Sequence, residues 1–331
     1  MPTLGLLVVV GLVVRAVLGK SSDISRSLHL LANPEPGLVA LAVLLEVLSY
    51  LSYARGQQVL ARATGRTLRL PWLAALAISA QALLDFLPAG YIPANVLNFR
   101  ELRRRGLAGA ICAWLLGLTS LLYIGALLVI ACAGAVIDAH GGWVPRLLGA
   151  LALVAIAAIA AVSTGALTGG PLPALRRVPL ALIAWLERRQ GLPARLAGGS
   201  RDVARQMAAV RLTRGEVAQA SVLFAIGWLS DAGCLACGFG AVGVLPPWDS
   251  LPVAYAIAQL VAFLPVTPGG LGLVEGSLAV TLTGGGRSLS EVLAAILLYR
   301  GLSYWATLPA GAVGYVALRH ARTHNGKLVG G

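Results

Sequence analysis

The stretch AFLPVTPGGLGLVEGSL, residues 262–278, decides the fold. Its surroundings are apolar enough to sit in a membrane, yet it holds two prolines, four glycines and Glu275. Proline within a helix costs about 3 kcal/mol, and a carboxylate at mid-bilayer costs about 2.5–3.5 kcal/mol on insertion scales. A plain spanning helix carries neither burden. The stretch is therefore read as the tip of a helical hairpin. One arm ends at Pro268-Gly269-Gly270 and the next begins with LGLVEGSL.

The rest of the chain supports a membrane setting. Of its 331 residues, 58% are hydrophobic and only 12% charged, and the mean hydropathy is +0.82. Apolar runs near the roughly 20 residues that span a bilayer recur along it, and no long polar segment offers a separate soluble domain. This predicts an all-α, polytopic helical membrane protein, with residues 1–331 as a single integral membrane domain. The net charge of +13, mostly arginine, fits basic cytoplasmic loops and contact with anionic headgroups rather than nucleic-acid binding.

Six runs read as spanning helices: 4–19, 36–54, 107–137, 146–168, 217–244 and 290–317. Residues 4–18 also resemble the apolar core of a signal peptide, with Val17-Leu18-Gly19 as a loose cleavage site; without a basic segment before them, a short first span is favoured. Two further runs, 71–97 and 251–283, are interrupted by Pro and Gly. The first contains DFLPAGYIPANV, residues 85–96, and the second contains the opening stretch.

Loop charges thread these runs. Arg55, Arg62, Arg66 and Arg69 precede the first interrupted run, and Arg100, Arg103, Arg104 and Arg105 follow it, so both flanks favour the cytoplasm. A segment that starts and ends on one side is re-entrant, and arms of about 20 Å reach the midplane and return. The second interrupted run is flanked by LPPWDS and GGGRSLS, which are poor in basic residues, so it enters from the opposite side. Each half then reads span, span, hairpin, span, in opposite orientation. Residues 4–137 and 146–317 are expected to form inverted-topology repeats, joined by a basic cytoplasmic connector, 169–216. Within the connector, residues 179–191 suggest a surface-lying amphipathic helix, or equally a solvated basic linker.

Irregular backbone at membrane depth survives only when buried in protein or lining a wet cavity. The hairpin tips are thus the candidate site. Gly269, Gly270 and Gly272 permit positive φ and close approach, and the helix start after Pro268 offers N–H groups and a positive dipole end to an anion. Glu275 is either an early-turn acid favoured by that dipole or a cavity group paired with Arg300, a lone cation inside the last span. The first half offers Asp85, beside its Leu87-Pro88 break, together with Asn95, Asn98 and Arg100. Arg103, Arg104 and Arg105 serve topology or collect anionic headgroups at the mouth. Glu46 and Asp231 are the other intramembrane acids, structural or functional with equal weight.

Signals for enzymes are missing. The four histidines lie in loops or the tail, and HExxH, GxSxG and P-loop patterns are absent. Cys234 and Cys237 form a CxxC inside an apolar run, where they read as small packing residues rather than a metal or redox pair. No catalytic residue, metal ligand or cofactor is assigned.

FLPVTPGGLGLVEGSL, followed by LLYRGLSYWATLPAG at residues 297–311, resembles the lysylphosphatidylglycerol synthase transmembrane-region family of flippase-like membrane proteins. DFLPAGYIPANVLNFRELRRRG resembles its first-half element, and the likeness covers roughly residues 36–318. It implies a lipid-translocating membrane domain without the soluble synthase domain of two-domain relatives. Pro268, Gly269, Gly270, Gly272, Glu275 and Arg300 carry over on the matching motif, and Pro88, Gly90 and Arg100 more loosely. The family's acidic position beside the first-half basic motif is matched here only by Glu101.

The expectation is a multi-pass protein of the inner or plasma membrane that moves an anionic or phosphate-bearing lipid by alternating access. That lipid would be a phospholipid or a polyprenyl-phosphate-linked carrier. Anionic lipids are the partners, and a coupling proton can enter through Glu275 or Asp85. An intramembrane lipid-modifying enzyme and a non-transporting assembly subunit are the alternatives. The small-residue patch Gly311-Ala312-Val313-Gly314 packs helices either within the chain or between chains.

Overall fold

A computed structural model describes residues 21–87, 89–137, 210, 212–263, 267–283 and 287–327. Among these, the regular structure is helical, as the composition requires of a chain that must satisfy its own backbone in lipid. A short helix, α1 (Ser21–Leu30), precedes α2 (Pro36–Arg62). The broken pair α3 (Leu70–Phe86) and α4 (Tyr91–Arg104) follows, and α5 (Gly109–Ile137) completes the first half. The second half begins with α6 (Arg214–Ala241) and the broken pair α7 (Leu251–Ala262) and α8 (Leu273–Leu282), which flank a 3₁₀ turn at Pro268–Gly270. It ends with α9 (Leu289–Arg300), a π turn at Gly301–Trp305 and α10 (Thr307–Lys327).

Local chemistry sets several of these boundaries. Helices α2, α3 and α7 carry proline in their first turn, where its missing N–H costs nothing. Helix α6 opens on a capping box: Thr213 N–H donates to Glu216 Oε2 at 2.8 Å, and Glu216 N–H donates back to Thr213 Oγ1 at 3.2 Å. Ser288 and Glu291 repeat the device at α9. Gly106, at φ 82°, ends α4 by donating to Arg103 O at 3.0 Å.

Among the described residues, four stretches are long and apolar enough to cross a bilayer: Pro36–Arg62, Gly109–Ala135, Arg214–Ala241 and Leu289–His320. They correspond to the expected spans at 36–54, 107–137, 217–244 and 290–317. The expected spans at 4–19 and 146–168, nearly all of the 169–216 connector and its 179–191 helix lie outside the described residues. Leu70–Phe86 and Leu251–Ala262 are apolar but shorter.

Three features depart from the sequence reading. The second arm of the first broken pair runs to Arg104, so Arg100, Arg103 and Arg104 lie on a helix rather than in a loop. No Gly or Pro interrupts residues 94–105, and the helix buries Ala94, Glu101 and Leu102 while leaving those arginines exposed. Residues 21–30, read as a loop, form α1, which docks on α9 through a Ser27 hydroxyl donating to Ser290 O at 2.8 Å. The last span is interrupted at Arg300 by the π turn.

Helices α2 and α6 pack along each other at the centre. Gly56 of α2 lies where an added Cβ would strike the Phe224 ring of α6. Tyr123 of α5 stacks on Trp228 of α6 at 4.2 Å between centroids, and the indole N–H donates to Tyr123 O at 2.8 Å. Around this centre the halves exchange contacts: α3 packs on α10, and α7 packs on α5. Glycine makes both approaches close. A Cβ on Gly314 would stand 2.8 Å from Ala75 O, and one on Gly134 would stand 2.7 Å from Pro252 Cβ. The small-residue patch beginning at Gly311 is thus used within the chain, where Ser79 Oγ also donates to Gly311 O at 3.3 Å.

Candidate functional site

The second broken pair turns on residues that L side chains rarely match: Gly269 at φ 54°, Gly270 at φ 68° and Gly272 at φ 80°. The Gly270 and Leu271 N–H groups donate to Thr267 O and Pro268 O, each at 3.1 Å. The Gly272 N–H donates to Glu275 Oε2 at 2.6 Å. Three N–H groups of the turn, those of Gly270, Leu271 and Gly272, are therefore engaged within it, the last because Glu275 folds back over its own helix start. Pro268 opens the 3₁₀ turn.

Arg300 closes this turn from the opposite element. Its Nε donates to Glu275 Oε1 at 2.6 Å and its Nη2 to Gly269 O at 3.1 Å. The guanidinium lies 4.4 Å from the Tyr304 ring centroid. A planar, forked cation suits this combination of carboxylate, carbonyl and aromatic face. The adjoining π turn, a feature frequent at functional sites, carries Tyr304.

The first broken pair reaches the same place. Asp85 is buried near the end of α3; Gln81 Nε2 donates to its Oδ1 at 2.9 Å and Thr307 Oγ1 to its Oδ2 at 3.0 Å. The Tyr304 hydroxyl donates to Asp85 O at 3.0 Å. A Cβ on Gly269 would lie 2.9 Å from Asp85 O and would strike the Tyr304 ring. The two broken segments thus touch at Gly269 and Asp85, with Arg300, Tyr304 and Thr307 binding them. Gly90 is buried at the start of α4, where an added Cβ would strike the Leu83 and Leu84 carbonyls. Pro88 lies outside the described residues.

A cavity of about 190 Å³ opens at this junction. Asp85, Gly269 and Arg300 line it, with Glu46 and Asp231 from the central helices. Its lining runs out to Tyr91, which is 45% exposed, so the cavity reaches the surface along α4. Arg100 and Arg103 are exposed and lie outside this lining, and Arg103 instead donates to Leu107 O at 3.1 Å. Pro268, Gly270, Gly272 and Glu275 build the turn without lining the cavity. Glu101, the acid beside the basic motif, is buried and pairs with Arg104 at 2.8 Å.

Asp231, an intramembrane acid whose partners the sequence does not name, sits among polar side chains of α7 and α9. Its Oδ2 accepts from the Tyr255 hydroxyl at 2.5 Å, Gln259 Nε2 at 3.0 Å and the Tyr299 hydroxyl at 3.2 Å. Gln81, four residues before Asp85, was within reach of the helical period. Tyr304 and Thr307 were not, because their link to Asp85 crosses more than two hundred residues.

Among the described residues, an all-helical bundle with four stretches long and apolar enough to span, two shorter apolar helices and a cavity lined by charged side chains where the broken segments meet defines a multi-pass membrane protein. Residues 3–311 match the model of the lysylphosphatidylglycerol synthase TM region, and the chain belongs to that family. The chain is also similar to a UPF0104 membrane protein of Methanothermobacter thermautotrophicus, 37% identical over 86 residues. That match covers 26% of this chain and 24% of the relative, so it spans about a quarter of the relative's length.

Proposed function

We propose that this chain is a flippase-like lipid transporter of the inner or plasma membrane, moving an anionic or phosphate-bearing lipid by alternating access. The observation that carries the reading is Arg300, a cation lining a polar cavity at the point where both broken segments meet. The cavity, at about 190 Å³, is smaller than the roughly 300–1,000 Å³ of pockets that enclose a whole drug-sized ligand. A headgroup fits such a space while the acyl or prenyl chains stay in the bilayer. The surface edge at Tyr91 supplies a route of entry.

The exchange of contacts between halves, α3 on α10 and α7 on α5, supports inverted repeats that rock against each other. Glu275–Arg300 is then the latch of the second turn, opened when a headgroup phosphate takes the place of the carboxylate. A non-transporting assembly subunit is favoured by one observation, the closed pair at 2.6 Å; the cavity beside that pair favours transport. A lipid-modifying enzyme, the remaining alternative, would need an acid set beside a metal or nucleophile in the cavity.

The test is lipid movement in liposomes. Purified protein is reconstituted with fluorescent phosphatidylglycerol or a labelled polyprenyl phosphate, and transbilayer exchange is followed by quenching the outer leaflet. Wild type accelerates exchange, Arg300→Ala abolishes it, and Glu275→Gln alters its rate. Folded wild type that moves neither lipid rejects the reading.

A further inference from the structure

The cavity that holds Arg300 also holds a pair of carboxyl groups that the transport reading leaves unused. Glu46 of α2 and Asp231 of α6 both line it and lie within electrostatic reach of each other. Cys234 stands one turn beyond Asp231 on α6 and is buried. One oxygen of each acid, Glu46 Oε2 and Asp231 Oδ1, is buried with no hydrogen-bond partner among the described residues. The other Asp231 oxygen already accepts from Tyr255, Gln259 and Tyr299.

Buried polar atoms are nearly always satisfied, and two carboxylates in one site do not both remain ionised. One shared proton resolves both conditions. It supplies the absent donor between the acids and removes one negative charge. We propose that Glu46 and Asp231 form a proton-binding pair that sets when an anionic headgroup enters the Arg300 cavity. The proposal rests on the transport reading for the identity of the headgroup, but the proton site itself stands on the geometry of the two acids.

The surrounding charges fix the direction of the effect. Among the described residues of the lining, the acids are Glu46, Asp85 and Asp231, and the cation is Arg300. Arg300 is already offset by Glu275 of α8. A phosphate meets net repulsion when all three lining acids are ionised, and less when the pair holds a proton. Proton and anion therefore bind cooperatively, each raising the affinity for the other. The remaining titratable neighbours are the Cys234 thiol on α6 and phenols: Tyr50 and Tyr53 on α2, Tyr91 on α4, Tyr123 on α5, Tyr255 on α7, Tyr299 on α9 and Tyr304 on the π turn. Phenols and a thiol stay neutral while a carboxyl titrates, which leaves the pair and Asp85 as the groups that change charge.

The experiment has two readouts on the full chain in lipid nanodiscs. Infrared difference spectra across a pH titration report protonated carboxyl groups. Wild type shows a carboxylic-acid band that titrates, and both Glu46→Gln and Asp231→Asn remove it. Binding of dihexanoyl phosphatidylglycerol then tightens in wild type as pH falls, by roughly tenfold per pH unit, the limit for one linked proton. In Glu46→Gln, which fixes the pair with one charge, the linkage through the pair is lost and only the weaker dependence that Asp85 contributes remains. If Asp231→Asn does not fold, Glu46→Gln alone carries both readouts. A band indifferent to these substitutions overturns the proposal. So does binding that ignores pH, that follows sodium instead, or that is absent at every pH. Linked binding without any lipid movement in liposomes supports the pair and rejects transport alone.

Discussion

Arg300 serves three neighbours at once, and its replacements separate them. Alanine leaves the Glu275 carboxylate beside the turn without its cation, which costs about 3 kcal/mol for a partly buried pair. Lysine restores the charge but not the fork that reaches Gly269 O or the flat face over Tyr304. Thermal unfolding in detergent is expected to rank wild type above Arg300→Lys and Arg300→Ala lowest; equal melting of the two variants would show that charge alone matters. Gly269 gives a second contrast. Alanine there must take φ 54° and push apart Asp85 and Tyr304, a loss of about 1–3 kcal/mol. Gly276 lies in α8 with nothing within 4 Å of an added Cβ, so Gly276→Ala stabilises by about 0.5–1 kcal/mol. Opposite shifts in melting temperature are the expected result.

At the scale of elements, the fold rests on helices that touch through glycine. Gly314→Val pushes α10 against the Ala75 carbonyl and the Ile78 and Ser79 side chains of α3, and overpacking of this kind costs about 1–3 kcal/mol. Gly134→Val makes the matching insult between α5 and α7, against Pro252 and Val253. If the halves are built alike, the two variants lose melting temperature to a similar degree, while Gly117→Val, with open space around its Cβ, loses little. Much of this level was legible in the sequence. The four described spans and both breaks follow from apolar run length and from Pro and Gly, which act over a few neighbouring residues. The Glu275–Arg300 pair was legible too, because two lone charges in apolar runs must find each other. The arm running to Arg104 was missed because charge was read as loop, although an uninterrupted amphipathic run helps to hold those arginines on a helix. The Asp85–Tyr304–Thr307 junction and the meeting of Glu46 with Asp231 were invisible. They depend on which distant helices lie side by side, and no local period encodes that.

For the whole molecule, the decisive quantity is the orientation of the halves. Arginine-rich flanks around the first broken segment and basic-poor flanks around the second give the loops a consistent asymmetry. The reciprocal packing of α3 on α10 and α7 on α5 is the contact pattern of two like halves related by a two-fold axis, and the loop charges are the argument for placing the proposed axis in the membrane plane. In the proposed mechanism such an arrangement would let one cavity face either side, since each half supplies one turn to the junction at Gly269 and Asp85. Parallel halves would put both turns on the same side of the bilayer and leave no symmetric partner state for alternating access. Single cysteines at Arg66 and Gly285, introduced after the four native cysteines are replaced, test this directly with a membrane-impermeant maleimide on intact and permeabilised cells. Inverted halves place Gly285 outside and Arg66 inside, so one site labels in intact cells and the other only after permeabilisation. Labelling of both from the same face would remove the proposed inverted repeat, and with it the proposed mechanism in which a single Arg300 site meets both leaflets in turn.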